Sequence, residues 1–106
     1  MLWGGYLSLL LAVHPSCLPF LRQTEETLFQ AQTALQTLRA DLAKLQQRTK
    51  TMTMLHQEGA ISRRQWDNFQ AKVKETQQEI ANLEKIAQAA KNQLKTLQTM
   101  PQCSAS

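Results

Sequence analysis

The sequence predicts an all-α fold, an antiparallel two-helix coiled-coil hairpin with a short hydrophobic N-terminal segment. The first observation is composition: the 106 residues include only three Gly and three Pro, and aromatic residues make up 6%, which is typical of long helices rather than of a globular core. The second is position: every proline lies outside residues 22–98, and Gly59 is the only glycine inside that range. The third is periodicity, because apolar residues on both sides of Gly59 recur in alternating steps of three and four, as in a coiled-coil seam.

The hydrophobic segment, residues 1–21, contains no Asp, Glu, Lys or Arg. Its densest apolar run covers residues 2–13. That run is shorter than the ~20 apolar residues that a transmembrane helix needs, but it fits the apolar region of a signal peptide. Two interpretations stay open: the segment is signal-like or membrane-anchoring, or it is a non-native start produced by a misplaced initiation codon or a frameshift.

The coiled-coil hairpin is predicted over residues 22–98. Its first arm, residues 22–57, has an apolar seam with one polar break at Thr49. The seam residues of this arm are Leu28, Ala31, Leu35, Leu38, Leu42, Leu45, Thr49 and Met52. Thr24 is the predicted N-cap, because a Thr oxygen can accept a hydrogen bond from a free N–H group of the first helical turn.

The second arm, residues 62–98, repeats the pattern. Its seam residues are Trp66, Phe69, Val73, Thr76, Ile80, Leu83, Ala87, Ala90, Leu94 and Leu97. Both seams repeat about every 3.5 residues, so each apolar face is narrow and needs a partner. The nearest partner of each arm is the other arm, because the tip, residues 58–61, is a short connection that favours antiparallel neighbours.

Local signals predict how the chain reverses at this tip. Gly59 can adopt the left-handed conformation that ends a helix. Ser62 followed by Gln65 is a capping box, in which each side chain bonds the backbone N–H of the other residue. Ile61 before the cap and Trp66 at the fourth helical position predict a hydrophobic staple.

The C-terminal residues 99–106 show no periodicity and contain Pro101, so we expect a disordered tail. Folding the chain about Gly59 would bring Cys17 and Cys103 to similar heights along the hairpin. In an oxidising compartment two such cysteines can pair. The alternative is that both lie in disordered ends and stay apart.

Charge and residue types argue against several functions. The net charge is +4, but Lys and Arg are mixed with Asp and Glu, and no aromatic residues interleave with a basic stripe, so we expect no nucleic-acid binding. The two cysteines have no Cys-x-x-Cys spacing and the two histidines lie far apart, so we expect no metal site and no cofactor. A bare hairpin also lacks a pocket in which a nucleophile, a base and an orienting group could meet, and the chain is not predicted to be an enzyme.

Residues 54–94, MLHQEGAISRRQWDNFQAKVKETQQEIANLEKIAQAAKNQL, resemble the coiled-coil hairpin of the HlyD-type membrane fusion proteins. These are the periplasmic adaptors of bacterial ABC exporters and efflux pumps. Hairpin tips in that family commonly read Leu, a short polar stretch, Gly, an apolar residue, Ile or Val, Ser, and then a polar turn and Asp. In this chain the same order is supplied by Leu55, Glu58, Gly59, Ala60, Ile61, Ser62 and Asp67. The resemblance extends over residues 24–98.

The resemblance implies that the tip docks on the mouth of an outer-membrane channel of the TolC type. In many family members this contact uses an Arg, a Leu four residues later and a Ser seven residues after that. Leu55 and Ser62 match, whereas Thr51 stands at the Arg position. This departure implies a contact shifted to neighbouring basic residues. The candidates are Arg48, Lys50, Arg63 and Arg64.

The resemblance also implies partners and a location. Adaptors of this family connect an inner-membrane ABC or other exporter to the channel, are membrane-anchored on the periplasmic side of the inner membrane, and self-associate with neighbouring adaptor protomers. A complete adaptor flanks its hairpin with two halves of a lipoyl-like β-domain, then a β-barrel and a membrane-proximal domain, and nothing in this sequence alternates as strands do. We therefore expect a truncated fragment, the hairpin alone.

The alternative is a generic coiled-coil interaction protein with an N-terminal membrane or signal segment, unrelated to export. It predicts contacts along an arm and tolerance of changes at the tip, whereas the adaptor hypothesis predicts contacts at the tip. A third hypothesis, a basic helical nucleic-acid binder, predicts binding that weakens steeply with salt.

Overall fold

The computed structural model describes residues 17–100. They form two α-helices, α1 (Cys17–Gln57) and α2 (Arg63–Thr99), and no strand occurs in that range. The two helices pack against each other, so the all-α helical hairpin predicted from the sequence is confirmed. Residues 1–16 and 101–106 lie outside the described part of the chain.

Helix α1 begins at Cys17, whereas the first arm was predicted to begin at Arg22. Pro19 does not prevent this, because a proline in the first turn lacks only an N–H that would have no partner inside the helix. The burial of Cys17 and the partial burial of Leu21 extend the seam towards the N-terminus in the same steps of four and three. The seam therefore continues to the first described residue of the helix.

The prediction that Thr24 caps α1 is wrong. Thr24 lies inside the helix, is 5% exposed, and its Oγ1 donates a hydrogen bond to the carbonyl oxygen of Phe20 at 2.8 Å. A Thr hydroxyl within a helix commonly satisfies itself in this way, by bonding the carbonyl four residues earlier. Thr24 is thus a buried seam residue whose polar atom has a partner.

The contacts divide the chain into two compact units. The described residues of the terminal unit are 17–31 and 85–100, and the tip unit is Gln32–Glu84. The buried residues of the terminal unit are Cys17, Thr24, Ala31, Ala87, Ala90 and Leu97. Those of the tip unit are Leu35, Thr76 and Ile80. Each unit therefore has a core to which both helices contribute.

The predicted seams are the residues that the helices bury. Every predicted seam residue of α2 is buried or half-buried, and the same holds for α1 except at Thr49. Thr49 is exposed, and its Oγ1 donates to the carbonyl oxygen of Leu45 at 2.9 Å. The polar break in the sequence pattern is thus also a break in burial.

One ion pair marks the antiparallel register of the tip unit. Arg39 Nη2 lies 3.6 Å from Glu84 Oε2, with both side chains more than half exposed. An exposed pair of this kind adds little to stability. It nevertheless joins the sequence neighbours of Leu38 and Leu83, one seam residue from each helix.

Two predicted segments fall largely outside the described residues. Of the hydrophobic segment 1–21, only residues 17–21 are described, and they form the start of α1. Of the tail 99–106, Thr99 is the last residue of α2 and residues 101–106 are not described. Between residues 17 and 100, neither helix has a stretch that is both long and apolar enough to cross a bilayer.

The cysteines were predicted either to pair or to remain apart. Cys17 is 7% exposed and takes part in a disulfide. The other cysteine of the sequence is Cys103, which lies outside the described residues. The geometry of a bond between the two cysteines is therefore not described.

Seam burial predicts the effect of truncating a leucine. Leu35 is 5% exposed, whereas Leu18 on the same helix is 56% exposed. We expect Leu35→Ala to lower the free energy of unfolding by about 2–4 kcal/mol, since it removes buried apolar volume and leaves a cavity. The matched Leu18→Ala change should cost less than about 0.5 kcal/mol. Thermal and urea unfolding followed by circular dichroism measure both, and equal losses would contradict the assigned seam.

Candidate functional site: the hairpin tip

Helix α1 ends in a Schellman motif centred on Gly59. Gly59 has a φ of +74°, in the left-handed region. Its N–H donates to the carbonyl oxygen of His56 at 3.1 Å, and the N–H of Ala60 donates to that of Leu55 at 2.8 Å. These two bonds satisfy carbonyls that the last helical turn would leave without partners. The predicted role of Gly59 is confirmed, and Leu55 is held by its own backbone in the motif.

Helix α2 begins with the predicted capping box. The backbone N–H of Ser62 donates to Gln65 Oε1 at 2.8 Å, and the N–H of Gln65 donates to Ser62 Oγ at 3.1 Å. The first helical backbone bond runs from the N–H of Trp66 to the carbonyl oxygen of Ser62 at 3.0 Å. The Ser62 hydroxyl is therefore engaged in starting the helix, while the residue itself stays exposed.

An aromatic stack links the two sides of the turn. The rings of His56 and Trp66 are 4.8 Å apart at an angle of 4°, and Trp66 also stacks on Phe69 at 6.2 Å and 28°. His56 Nδ1 is buried, and it has no hydrogen-bond partner among residues 17–100. It joins the last turn of α1 to the first turns of α2, so it holds the helix ends together at the tip end of the seam.

His56 is the tip residue that the sequence analysis missed. Continuing the alternating steps of the first seam beyond Met52 leads to His56, which occupies a seam position. The histidine was set aside because it lacked a second histidine nearby, a criterion that suits metal or catalytic sites but not packing. The predicted staple between Ile61 and Trp66 stays a prediction; both residues are half-buried.

The residues that resemble the docking pattern lie on both sides of the turn. Leu55 is half-buried in the last turn of α1, Thr51 is exposed one turn earlier, and Ser62 is exposed directly before α2. The backbone of Leu55 and the side chain of Ser62 are fixed by the two capping motifs. The tip therefore presents these residues on a backbone with few degrees of freedom left.

The basic residues around the tip are exposed and have no ion-pair partner among residues 17–100. These residues are Arg48, Lys50, Arg63 and Arg64. The first turn of α2 contains no acidic residue, so Arg63 and Arg64 lie at the positive end of the helix dipole with nothing in that turn to offset it. This arrangement gives up some helix stability and leaves positive charge facing solvent.

The tip displays no cluster of metal-binding side chains. Within residues 17–100, no three His, Cys, Asp or Glu side chains lie close enough together to hold a metal ion. What the tip offers is an apolar side chain, hydroxyl groups and unpaired positive charge on an ordered turn.

Comparisons with known proteins do not assign this chain to a family. No family model, no curated protein and no solved structure matches it.

The left-handed conformation of Gly59 predicts a test of the turn. A Cβ at this position would meet no atom within 4 Å, so a substitution there is penalised by backbone conformation alone. We expect Gly59→Val to lower the free energy of unfolding by at least about 1–2 kcal/mol. Gly59→Asn should cost clearly less, because Asn tolerates the left-handed region. Urea unfolding of the two variants measures the difference, and equal stability would contradict the turn.

The aromatic stack predicts a coupling between the helix ends. In a double-mutant cycle of His56→Ala and Trp66→Ala, we expect the two residues to couple by about 0.5–1.5 kcal/mol, the usual range for an aromatic pair in contact. A control cycle pairs His56→Ala with Asn68→Ala, which changes an exposed residue on α2, and should give a coupling near zero. Unfolding free energies of the variants provide both values, and a stacked pair without coupling would contradict the contact.

Proposed function

We propose that this chain is the hairpin of a periplasmic adaptor, which links an inner-membrane exporter to an outer-membrane channel of the TolC type. The tip is the docking surface. The observation that carries the proposal is the geometry of the tip. Leu55 and Ser62 have the spacing of the docking pattern. The Schellman motif holds Leu55 before Gly59, and the capping box holds Ser62 after it. The protein is structural and recognitive, and its task is to bring two membrane proteins into contact.

Order at the tip supports a docking role on energetic grounds. A surface that is flexible before binding loses conformational entropy on contact, whereas a pre-organised surface loses little. The Schellman motif, the capping box and the stack of His56 on Trp66 restrict the backbone on both sides of the turn. Leu55 can therefore meet a partner without first ordering its surroundings.

The positive charge of the tip supports a partner whose contact surface is acidic. Arg63 and Arg64 remain exposed at a helix end that disfavours them, and no carboxylate among residues 17–100 pairs with them. A ring of carboxylates at a channel mouth would supply the missing partners. Charge complementarity of this kind speeds association and fixes orientation more than it adds affinity.

The state of Cys17 supports a compartment outside the cytosol. Cys17 takes part in a disulfide, and disulfides persist in oxidising compartments such as the bacterial periplasm. A periplasmic location places the hairpin between the two membranes that an adaptor connects.

The proposal predicts that docking depends on Leu55. We expect Leu55→Asp to weaken binding of the chain to a purified, detergent-solubilised channel of the TolC type by about 30-fold or more, the loss typical of an interface hot spot. Leu18→Asp is the matched control, because Leu18 is 56% exposed and lies at the other end of α1. Biolayer interferometry measures affinity, and circular dichroism confirms that both variants keep their helix content.

Two results would overturn the proposal. The first is absence of binding by the unaltered chain, and the second is equal binding by Leu55→Asp and the unaltered chain. A generic coiled-coil interaction protein would instead lose its partner through changes along an arm and tolerate the change at Leu55.

A further inference from the structure

A groove lies between α1 and α2 in the terminal unit and has a volume of about 310 Å³. Residues of both helices line it. They include Phe20, Gln23 and Thr27 of α1 and Ile86, Ala89 and Gln93 of α2. The buried residues Thr24 and Ala90 also belong to the lining. The groove therefore lies directly beside the seam of this unit.

The groove favours an apolar cover. No Asp, Glu, Lys, Arg or His lines it. Phe20 is 51% exposed and Ile86 is 47% exposed, so one large apolar side chain from each helix stands half in water. Covering such side chains is favourable in proportion to the apolar area removed from water, whereas a charged side chain would lose its hydration there without finding a partner.

The core beside the groove is thin. It consists of one seam between two helices, and no side chain among residues 17–100 is completely enclosed by protein. Small folds whose core is too thin to stabilise them alone commonly gain burial by oligomerisation. A second layer on the groove would enclose the seam from this side.

The lining of the groove has an internal two-fold pattern. The α1 residues 20, 23, 24 and 27 have the same spacing as the α2 residues 86, 89, 90 and 93. In each set the first residue is the large apolar one, Phe20 or Ile86, and the others are small or uncharged. Because the two helices are antiparallel, Phe20 and Ile86 lie at opposite ends of the groove. A second copy placed on it by a two-fold axis therefore brings a large apolar side chain to each end.

Charge selects one of the two-fold arrangements that this pattern allows. Residues 17–31 contain one basic and two acidic residues, a net charge of −1. Residues 85–100 contain three lysines and no acidic residue, a net charge of +3. Placing α2 on the α2 of the partner would bring like charges together, whereas placing α1 on the partner's α2 brings opposite charges together. The axis that does this runs parallel to the helices, so Phe20 meets Phe20 of the partner subunit.

We propose that the groove is the interface of a two-fold dimer, in which α1 of each copy packs on α2 of the other. The dimer uses none of the tip residues and goes beyond the adaptor function. Because both copies use the same surface, the contact closes at two and leaves no groove for a third copy.

The size of the surface sets the strength of the dimer. The terminal unit contributes about 22 Å of each helix at 1.5 Å per residue, and two helices side by side are about 20 Å wide. Two such faces bury about 900 Å² together, which is below the ~1,200–2,000 Å² of stable complexes. We therefore expect a reversible dimer with a dissociation constant on the order of 10–100 μM.

Sedimentation equilibrium of the full chain tests the dimer. The sample is the fraction that runs as a single chain on a non-reducing gel, so a disulfide between copies does not contribute. We expect the mass to rise with concentration from that of one chain to that of two, and to stop there. Ile86→Asp should weaken association by about 30-fold or more. Leu18→Asp, which changes an exposed leucine outside the groove lining, should leave it unchanged.

A pair of charge reversals tests the arrangement. Glu26→Lys and Glu58→Lys change exposed residues and give the whole chain the same net charge, but only Glu26 belongs to the terminal unit. We expect Glu26→Lys to weaken the dimer several-fold more than Glu58→Lys, because it removes the negative charge that α1 places on the partner's lysine-rich α2. Equal weakening would show that only the total charge matters and would overturn this arrangement.

Three other results would overturn the dimer itself. The first is a mass that stays that of one chain well above the expected dissociation constant. The second is a mass that rises beyond two chains, since a closed contact forbids it. The third is association that survives Ile86→Asp, which places the contact on another surface. Circular dichroism of each variant shows that the comparison is made between folded chains.

Discussion

Neither of the two helices formed by residues 17–100 has an apolar face wide enough to form a core by itself, so each depends on burying its narrow seam against the other. The alternating steps of three and four place the seam on one stripe of each helix, and the buried residues are the members of these stripes. The seam also continues before Arg22, because Cys17 is buried and Leu21 is half-buried in the same steps of four and three. Thr49 is a polar residue in the stripe of α1, and it is exposed to solvent rather than buried.

Mutual burial of the seams requires a turn of defined geometry, and the tip provides it through three separate interactions. Gly59 reverses the chain at a φ of +74° that other residues adopt only under strain. Ser62 and Gln65 start the second helix by exchanging hydrogen bonds with each other's backbone. The stack of His56 on Trp66 then continues the packing past the last aliphatic seam residue. An ordered tip is therefore a consequence of how the hairpin closes, and the same order makes it suitable for docking.

The two units offer surfaces of opposite character. The tip unit displays unpaired arginines and an apolar residue on a rigid turn, which suits a specific and partly electrostatic contact with another protein. The terminal unit displays an uncharged groove with half-exposed Phe20 and Ile86, which suits an apolar partner surface. The two surfaces consist of different residues and would bind through different forces. Binding at one surface can therefore be tested by substitutions that leave the other surface unchanged.

The sequence by itself determined the helices, the seams and the turn, because these follow from local rules that act over a few residues. Periodicity identified the buried stripes, the lone glycine identified the reversal, and Ser62 with Gln65 identified the start of the second helix. Only the tertiary structure decided what depends on residues far apart in the chain. Thr24 was predicted as a cap and is instead a buried seam residue, because burial opposite α2 and a bond to the carbonyl of Phe20 outweigh its preference for a helix start. His56 gained its role only when Trp66 was brought against it across the turn, and the groove exists only because the hairpin brings Phe20 and Ile86, which the sequence separates by more than sixty residues, to the same surface.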